Sequence, residues 1–588
     1  MSTLAKLGAF AILLAIGYHK VFKAPASLKQ SHVQQDDVLT NEMDLNAQNK
    51  EVVITVTDGV YVARSFSMAN MAMIEGRDGI IIVDSTLGPE SALKVLAAFR
   101  NITDKPIKAI LVTHFHADHT GGLDAVLQTV EKGIDVYSHK LTKDQLSESF
   151  LTRQGATERT SRQFGMKLPS SKVPNFTFTA VHPTHTFDKE LTLNIAGVKI
   201  QLFHTPGETN DHCSIWLPDK GVLFSADNLY SSFPNIYPVR GEIREVRQWV
   251  ESLDFIRYLK PEYLVPSHMD PVIGKDEVWK TITTYRDAMQ FVYDQTIRCI
   301  NKNMHLDDIV RTVRLPAHLE EQKSLQQWYG TVEWSVRSIY GQNLGWFTGN
   351  PEDLTPLSSQ QRAEKFNSLL GMSGQNSIQN MLQSAEENLQ LSYSHFENKG
   401  AYLYVEGQWA LEISAMTLRL TKPGEAMYEE AKSAMIKALK HKAKGTSNWT
   451  ARNYYLSCIV ELDGSGIVLD MTEVKESFLS KVYIEDIMST FPRRFKAEGC
   501  DPKFKQSVRF HFSDLKRDFV FLVRNCICEF VQMKSRMPDS TDVTLTMTSE
   551  VWRDVIKKTR SGFSAYMAGD IVIEGGVLNF KSFVALFD

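Results

Sequence analysis

The 588-residue sequence predicts three units in a row: a layered α/β unit, an all-helical unit and a closing α+β unit. Changes in apolar periodicity carry that prediction. From residue 50 to about 290, short β-branched runs bounded by Gly or turn residues alternate with amphipathic segments. From about 275 to 445 apolar residues return every three or four positions, and after roughly 455 strand-like alternation resumes. Length is the third observation, because a chain this long exceeds what one hydrophobic core encloses.

The N-terminal stretch stands apart. Lys6 is followed by the apolar run LGAFAILLAIGY and then by His19, Lys20 and Lys23. A dozen apolar residues fall short of the ~20 that a membrane-spanning helix needs, yet they match the core of a signal peptide. Ala24 and Ala26 offer a small-residue cleavage site. Residues 1–45 are therefore expected to stand outside the fold, as a signal peptide or a retained anchor with its linker. That implies the secretory pathway, with the product secreted or held at a membrane by this segment. Sequons at Asn101, Asn175 and Asn448 are compatible with such a compartment, although chance supplies about as many. The six cysteines, at 213, 299, 458, 500, 526 and 528, lack zinc-ribbon spacing and read as buried thiols or one incidental bridge. With a net charge of -4 and no strongly basic region, no nucleic-acid partner is expected.

The α/β unit, residues 46–290, holds the runs EVVITVTDGVYVARS, GIIIVDS, KAILVTH, DVYSH, LTLNIAGVKIQLFHT, GVLFSAD and YLVPSH. Several end on an acid or a histidine (Asp84, His114, Asp227, His268), where a rigid sheet presents chemistry in its loops. The helical unit, residues 291–450, follows VWKTITTYRDAMQFVYDQTIRCI and contains YEEAKSAMIKALKHKAKG. The closing unit, residues 451–588, holds SVRFHFSDL, DFVFLVRNCICEFVQM and VTLTMTSEVW, then a helix and the glycine-bearing turn GDIVIEGG.

The chemistry concentrates in THFHADHTGG, residues 113–122. Imidazole nitrogen and carboxylate oxygen suit zinc and its borderline neighbours. A tight loop after KAILVTH can turn His114 and His116 toward one point and Asp118 and His119 toward another, so two metals can sit side by side. One loop supplies only two donors to each, and the remaining candidates at strand ends are Glu208, Asp227 and His268.

At these residues the chain resembles the metallo-β-lactamase superfamily, whose motif T-H-x-H-x-D-H-x-G-G is matched in full. The resemblance implies an αββα fold and two divalent metal ions, zinc being the expected pair. It also favours Glu208 over His212, because the superfamily's third ligand follows T-P-G and lies nineteen residues before the bridging acid, as Glu208 does before Asp227. The implied site has one metal on His114, His116 and Glu208, the other on Asp118, His119 and His268, and Asp227 between them. His212 is then a wall or supporting histidine, His204 a loop support, and Asp84 the group that orients the His loop.

Within the superfamily the chain resembles the alkyl sulfatase branch. It too has Glu at the third ligand, and NIYPVRG, residues 235–241, looks like its N-L-Y-T-L-R-G, whose Asn and Arg grip the sulfate. Asn235 and Arg240 take that role here by implication, and with Asp118 they form the expected catalytic set. A planar guanidinium pairing with two oxygens of a tetrahedral anion gives Arg240 its own rationale. WYGTVEWSVRSIYGQNLGWFTGNPEDLTPL, from Trp328, closely resembles the segment opening the branch's helical dimerisation domain. The closing unit looks like its sterol-carrier-protein-like domain, read either as an apolar groove for an alkyl chain or as a plain structural module.

Two departures stand out: Asp227 where the branch carries Glu, and PSHMDP where it has a His-His-Trp-Pro stretch, so that Met269 and Asp270 alter shape and charge near the substrate. The expectation is a homodimeric, binuclear hydrolase of alkyl or lipid-like sulfate esters. The alternatives are a hydrolase of another ester, a phosphoester or a lactam, and a lipid-binding protein with a vestigial metal domain.

Overall fold

The computed structural model describes residues 50–130, 133–168, 182–241, 243–348, 358–369, 375–399, 404–467, 482–489 and, with short gaps, 491–587. The expected signal or anchor segment, Asn175, Cys500 and Cys526 lie outside the described residues. Among the described residues no helix is long and apolar enough to cross a membrane. Cys213, Cys299 and Cys528 are buried, Cys458 is half-buried, and all four are unbridged.

Strands β1 to β7 (Val52–Thr57, Val60–Arg64, Met71–Glu75, Ile80–Val83, Ile107–Leu111, Asp135–His139 and His185–Phe187) lie in chain order in one sheet. The first four form an antiparallel meander, and β4 to β7 run parallel. Strands β8 to β13 (Glu190–Ile195, Val198–His204, Cys213–Leu217, Val222–Ala226, Tyr263–Pro266 and Val272–Ile273) form the second sheet, again with sequence neighbours adjacent. Continuous apolar runs such as IIIV are buried on both faces, whereas ELTLNI at the sheet edge alternates, exposing Glu190, Thr192 and Asn194 and half-burying Leu191, Leu193 and Ile195 against the core.

The inner faces pack on each other through Ile74, Ile81 and Leu111 from one sheet and Ile200, Leu202, Ile215 and Phe224 from the other. Helices Pro89–Arg100 and Leu123–Gln128 cover the outside of the first through Val95, Phe99 and Val126. Helices Val246–Tyr258 and Lys275–Asn301 cover the second through Trp249, Leu253, Ile282 and Met289. The layers are therefore αββα, as the superfamily resemblance implies.

Two of the expected boundaries fall inside helices. Residue 290 falls inside helix Lys275–Asn301, whose inner face joins Val332, Val336 and Ile339 in the core under the second sheet. The helical period thus begins while the chain is still completing the α/β unit. Residue 450 falls inside helix Trp449–Asp463, and the strands of the closing sheet return only at Gln506. Helices Gln375–Lys399, Tyr404–Leu420, Ala426–Lys444 and Trp449–Asp463 pack each against the next.

The helical unit is fastened to the α/β unit at two places. Asn448 is buried; its Oδ1 accepts from the Ala451 N–H as a helix cap, while its Nδ2 donates to the Gln327 and Tyr329 carbonyls at 2.7 and 3.2 Å. That sequon is consumed by the fold and cannot carry a glycan in the folded chain. Nearby, Arg162 on helix Arg153–Gln163 pairs with Glu461 at 3.0 Å, and Asn453 Nδ2 donates to the Gln163 carbonyl at 3.2 Å. Gly330 lies so close to the 235–241 loop that a Cβ there would stand 2.1 Å from the Pro234 oxygen.

Strands β14 to β18 (Gln506–Phe512, Arg517–Arg524, Ile527–Val531, Val543–Met547 and Val572–Glu574) form the closing sheet in the order β16-β15-β14-β17-β18. The run DFVFLVRNCICEFVQM is two strands of a hairpin, β15 and β16. Alternation along β14 sends Val508, Phe510 and Phe512 inward, into a core with Phe521, Trp552 and Phe583. In GDIVIEGG, Gly575 has φ +86° and a Cβ there would meet the Asp542 oxygen at 1.9 Å, so only glycine fits.

Candidate metal centre

The THFHADHTGG segment leaves β5 and turns sharply into the short helix Ala117–Thr120, with Thr120 Oγ1 donating to the His116 carbonyl at 3.0 Å. The turn closes against the β4 loop. A Cβ on Gly121 would meet the Leu87 oxygen at 2.0 Å and one on Gly122 the Ser85 oxygen at 2.1 Å, which is the physical reason for the glycine pair.

The seven expected donors converge. His114, His116, Glu208 and Asp227 each offer an atom within 4.8 Å of the others, and so do Asp118, His119, Asp227 and His268. Asp227 belongs to both groups. Its Oδ2 lies 3.0 Å from His268 Nε2, 3.3 Å from His119 Nε2 and 3.8 Å from His114 Nε2. His114 Nε2 and His116 Nδ1 stand 3.0 Å apart. His119 Nε2, Glu208 Oε2 and Asp227 Oδ1 are buried without a hydrogen-bond partner, a cost that a shared cation would relieve. These residues fit a pair of divalent ions. His212 is buried beside His114, ring centres 5.4 Å apart, but belongs to neither group.

The donors divide electrostatically: burial lowers His119 and His268, but Asp227 outweighs it, holding His119 well above the imidazole range and lifting His268 to about 9. Burial, with His119 and His116 adding to it, drives His114 well below the imidazole range and leaves it a neutral lone-pair donor. Burial would also push Asp227 up, but His119 and His268 outweigh it and hold the carboxyl well below its usual range. Burial pushes Glu208 well above its usual range even with Arg244 beside it, so one guanidinium does not settle its charge.

Three of the donors are held from behind. Asp84 Oδ2 accepts from His119 Nδ1 at 2.8 Å and from Thr113 Oγ1 at 2.9 Å, while its Oδ1 accepts from the Thr113 N–H. His268 Nδ1 lies 3.0 Å from the Met68 carbonyl, and Asn70 Nδ2 donates to the Pro266 and Met269 carbonyls on either side of it. Glu208 is fixed by its N–H to Asn228 Oδ1 at 3.1 Å, and its Oε1 lies 2.7 Å from Arg244 Nη1. The floor is strained: Asp84 (φ 60°), Thr86 (φ 63°) and Ala226 (φ 42°) all occupy the left-handed region, and the β11–β12 register shifts between Phe224 and Ala226, next to Asp227.

The 235–241 loop lines the same site. Arg240 Nη2 approaches His116 Nε2 at 3.5 Å. The Asn235 side chain is fully buried with neither its amide oxygen nor its nitrogen hydrogen-bonded, an unfilled hydrogen-bonding capacity. Asp270 turns its charge to Arg64 at 2.9 Å. His204 stacks on His139 at 3.8 Å and reaches the Asn210 carbonyl through Nε2, which ties down the loop before Glu208. Arg244, Asn228 and Asn70 carry no periodicity or motif that would mark them in the sequence, and Arg244 is one of three arginines, with Arg240 and Arg247, around the start of an amphipathic helix.

Comparison with known proteins places this arrangement. Residues 64–268 match the metallo-beta-lactamase superfamily and residues 305–465 match the alkyl sulfatase dimerisation family. A linear primary-alkylsulfatase from a Pseudomonas species is 32% identical over 546 residues, spanning 88% of this chain and 98% of that protein. Alkyl/aryl-sulfatase BDS1 of Saccharomyces cerevisiae is 26% identical, spanning 91% of this chain and 82% of its own. Among solved structures, the stereoselective inverting sec-alkylsulfatase Pisa1 from Pseudomonas superposes with a TM-score of 0.79 at 22% identity over 92% of this chain and 86% of that one, a likeness of fold.

Proposed function

The chain belongs to the alkylsulfatase family of the metallo-beta-lactamase superfamily, and from that premise we infer that it hydrolyses alkyl or lipid-like sulfate esters. The observation that carries the reading is the pair of donor groups sharing Asp227, with three buried donor atoms left unsatisfied at their meeting point.

In this reading His114, His116 and Glu208 hold one divalent ion, Asp118, His119 and His268 the other, and Asp227 both; zinc suits the nitrogen and oxygen set. Two divalent ions held there would supply an activated water and stabilise developing negative charge. The chain does the rest. Arg240 pairs with two oxygens of the sulfate, and the Asn235 amide donates to a third. Asp118, adjoining His119 and His268, accepts hydrogen bonds at the attacking side. Asp84 keeps His119 in the tautomer that offers Nε2 inward. Because Asp270 is turned to Arg64, the PSHMDP loop presents little net repulsion to an anionic ester.

The helical unit brings two copies together as a homodimer, and the N-terminal segment directs the chain into the secretory pathway, as a secreted or membrane-held protein. The closing unit, read as sterol-carrier-like, takes the alkyl chain of the substrate. The test is turnover by the metal-loaded protein of sulfate esters of graded chain length beside phosphate esters, thioesters and lactams. Release of inorganic sulfate that is abolished by chelation and restored by zinc or manganese is expected; cleavage of lactams or phosphate esters with none of alkyl sulfates sinks the reading.

A further inference from the structure

Arg244 is fully buried, the largest such cationic side chain among the described residues. Its Nη1 lies 2.7 Å from Glu208 Oε1 and donates to the Asn235 carbonyl at 3.0 Å. One guanidinium therefore joins a donor residue of the metal centre to the backbone of the loop bearing Asn235 and Arg240. Glu208 Oε2 is left without a partner, directed to the donor group of His114, His116 and Asp227. Trp249 and Asn228 back the clamp. The Trp249 ring walls the guanidinium at 6.0 Å, Trp249 Nε1 donates to the Asn228 carbonyl, and Asn228 grips Glu208 N–H and the Thr205 carbonyl.

The charge at this corner demands such a partner. A histidine at the third-donor position would be neutral, whereas Glu208 adds a third carboxylate to Asp118 and Asp227. Three carboxylates would reduce the four positive charges of two divalent ions to one. A buried carboxylate also bears a large desolvation cost unless it is paired. We propose that Arg244 is a positioning residue matched to Glu208: it supplies the counter-charge that lets a carboxylate serve as the third metal donor, and it holds that donor in register with the anion-binding loop. This rests on the binuclear-site reading above. Its consequence is that the site keeps the positive charge an anionic ester requires, with Arg244 acting through Glu208 and not by touching the substrate.

The experiment measures metal stoichiometry and affinity, by elemental analysis and by competition with a chromogenic chelator, on the full-length wild type, Arg244→Met and the double variant Glu208→His/Arg244→Met. The wild type is expected to bind two ions. Arg244→Met is expected to weaken one of them about 10–100-fold, the scale of lost outer partners at metal sites. The double variant is expected to recover the second ion, because a neutral histidine needs no counter-charge. A wild type that binds no metal overturns the binuclear reading and this inference with it. A wild type binding two ions beside an Arg244→Met variant of unchanged affinity overturns this inference alone, and so does a double variant that fails to recover the second ion, whether or not Arg244→Met folds.

Discussion

Asp84 receives the Nδ1 proton of His119 at 2.8 Å, from a backbone held at φ 60°, and so fixes which nitrogen His119 turns toward Asp227. Outer partners of this kind set both the orientation and the basicity of a donor imidazole. Asp84→Ala is expected to weaken metal binding about 10–100-fold. Titration of apo-protein with zinc against a competing chelator measures it; wild-type affinity in the variant would remove Asp84 from the support of the centre.

Arg240 stands at the other side of His116 and makes no part of either donor group. Arg240→Ala is therefore expected to leave metal content intact while lowering kcat/KM for a sulfate ester about 10–100-fold, the worth of a hydrogen bond to a charged group. Arg240→Lys, keeping the charge but not the fork, should recover only part of this. Equal loss of metal would show that Arg240 belongs to the centre itself.

Chelation is expected to lower the thermal unfolding temperature, since ions that bind only the folded chain stabilise it by mass action, about 2.7 kcal/mol at a hundredfold excess over the dissociation constant. Scanning calorimetry with and without zinc reports the shift. An unchanged transition contradicts a metal centre that holds Glu208, Asp227 and His268 together across three strand ends.

His139 gives a pH dependence with a definite sign. It is buried, bonded through Nε2 to the Asp188 carbonyl, and pushed down to about 4 by burial first and His204 second. The unfolded side chain titrates near ~6.5, so below that pH the unfolded chain binds the extra proton. The stability this residue contributes is complete above ~6.5 and is lost as pH falls toward about 4. His139→Gln should flatten that part of the stability profile in chemical denaturation; an unaltered slope between the two values would assign the acid sensitivity elsewhere.

Gly330→Ala places a Cβ 2.1 Å from the Pro234 oxygen, a backbone atom that cannot rotate away. Overpacking of this kind costs about 1–3 kcal/mol. The loss should appear both in unfolding and in KM for the sulfate ester, because the displaced segment carries Asn235. A variant with wild-type stability would mean that the 326–330 segment yields more easily than its contacts suggest.

The layered fold was legible because buried parallel strands such as IIIV and amphipathic helices such as Val246–Tyr258 write opposite periods into the chain. The candidate metal centre was legible for a different reason: its donors are rare residue types at strand ends, and the superfamily resemblance implied Glu208 in preference to His212; Glu208 lies in one of the two candidate donor groups. What escaped were residues that act through one specific contact. Arg244 looks like any surface arginine until the tertiary fold buries it on Glu208. Asn448 fits a glycosylation sequon, yet its amide is spent on a helix cap and two carbonyls. Helices Lys275–Asn301 and Trp449–Asp463 cross the boundaries expected at 290 and 450, because periodicity records a helix, not the core into which it packs.

The bent backbone beside Asp227 bears on any effort to make this protein more heat-tolerant. Ala226 sits in a conformation that glycine adopts without strain, so Ala226→Gly removes an unfavourable local term while freeing the hinge that aims the shared carboxylate. Durability and turnover pull in opposite directions at that one position, and a screen that rewards only survival on heating will select proteins that outlast the parent and work more slowly.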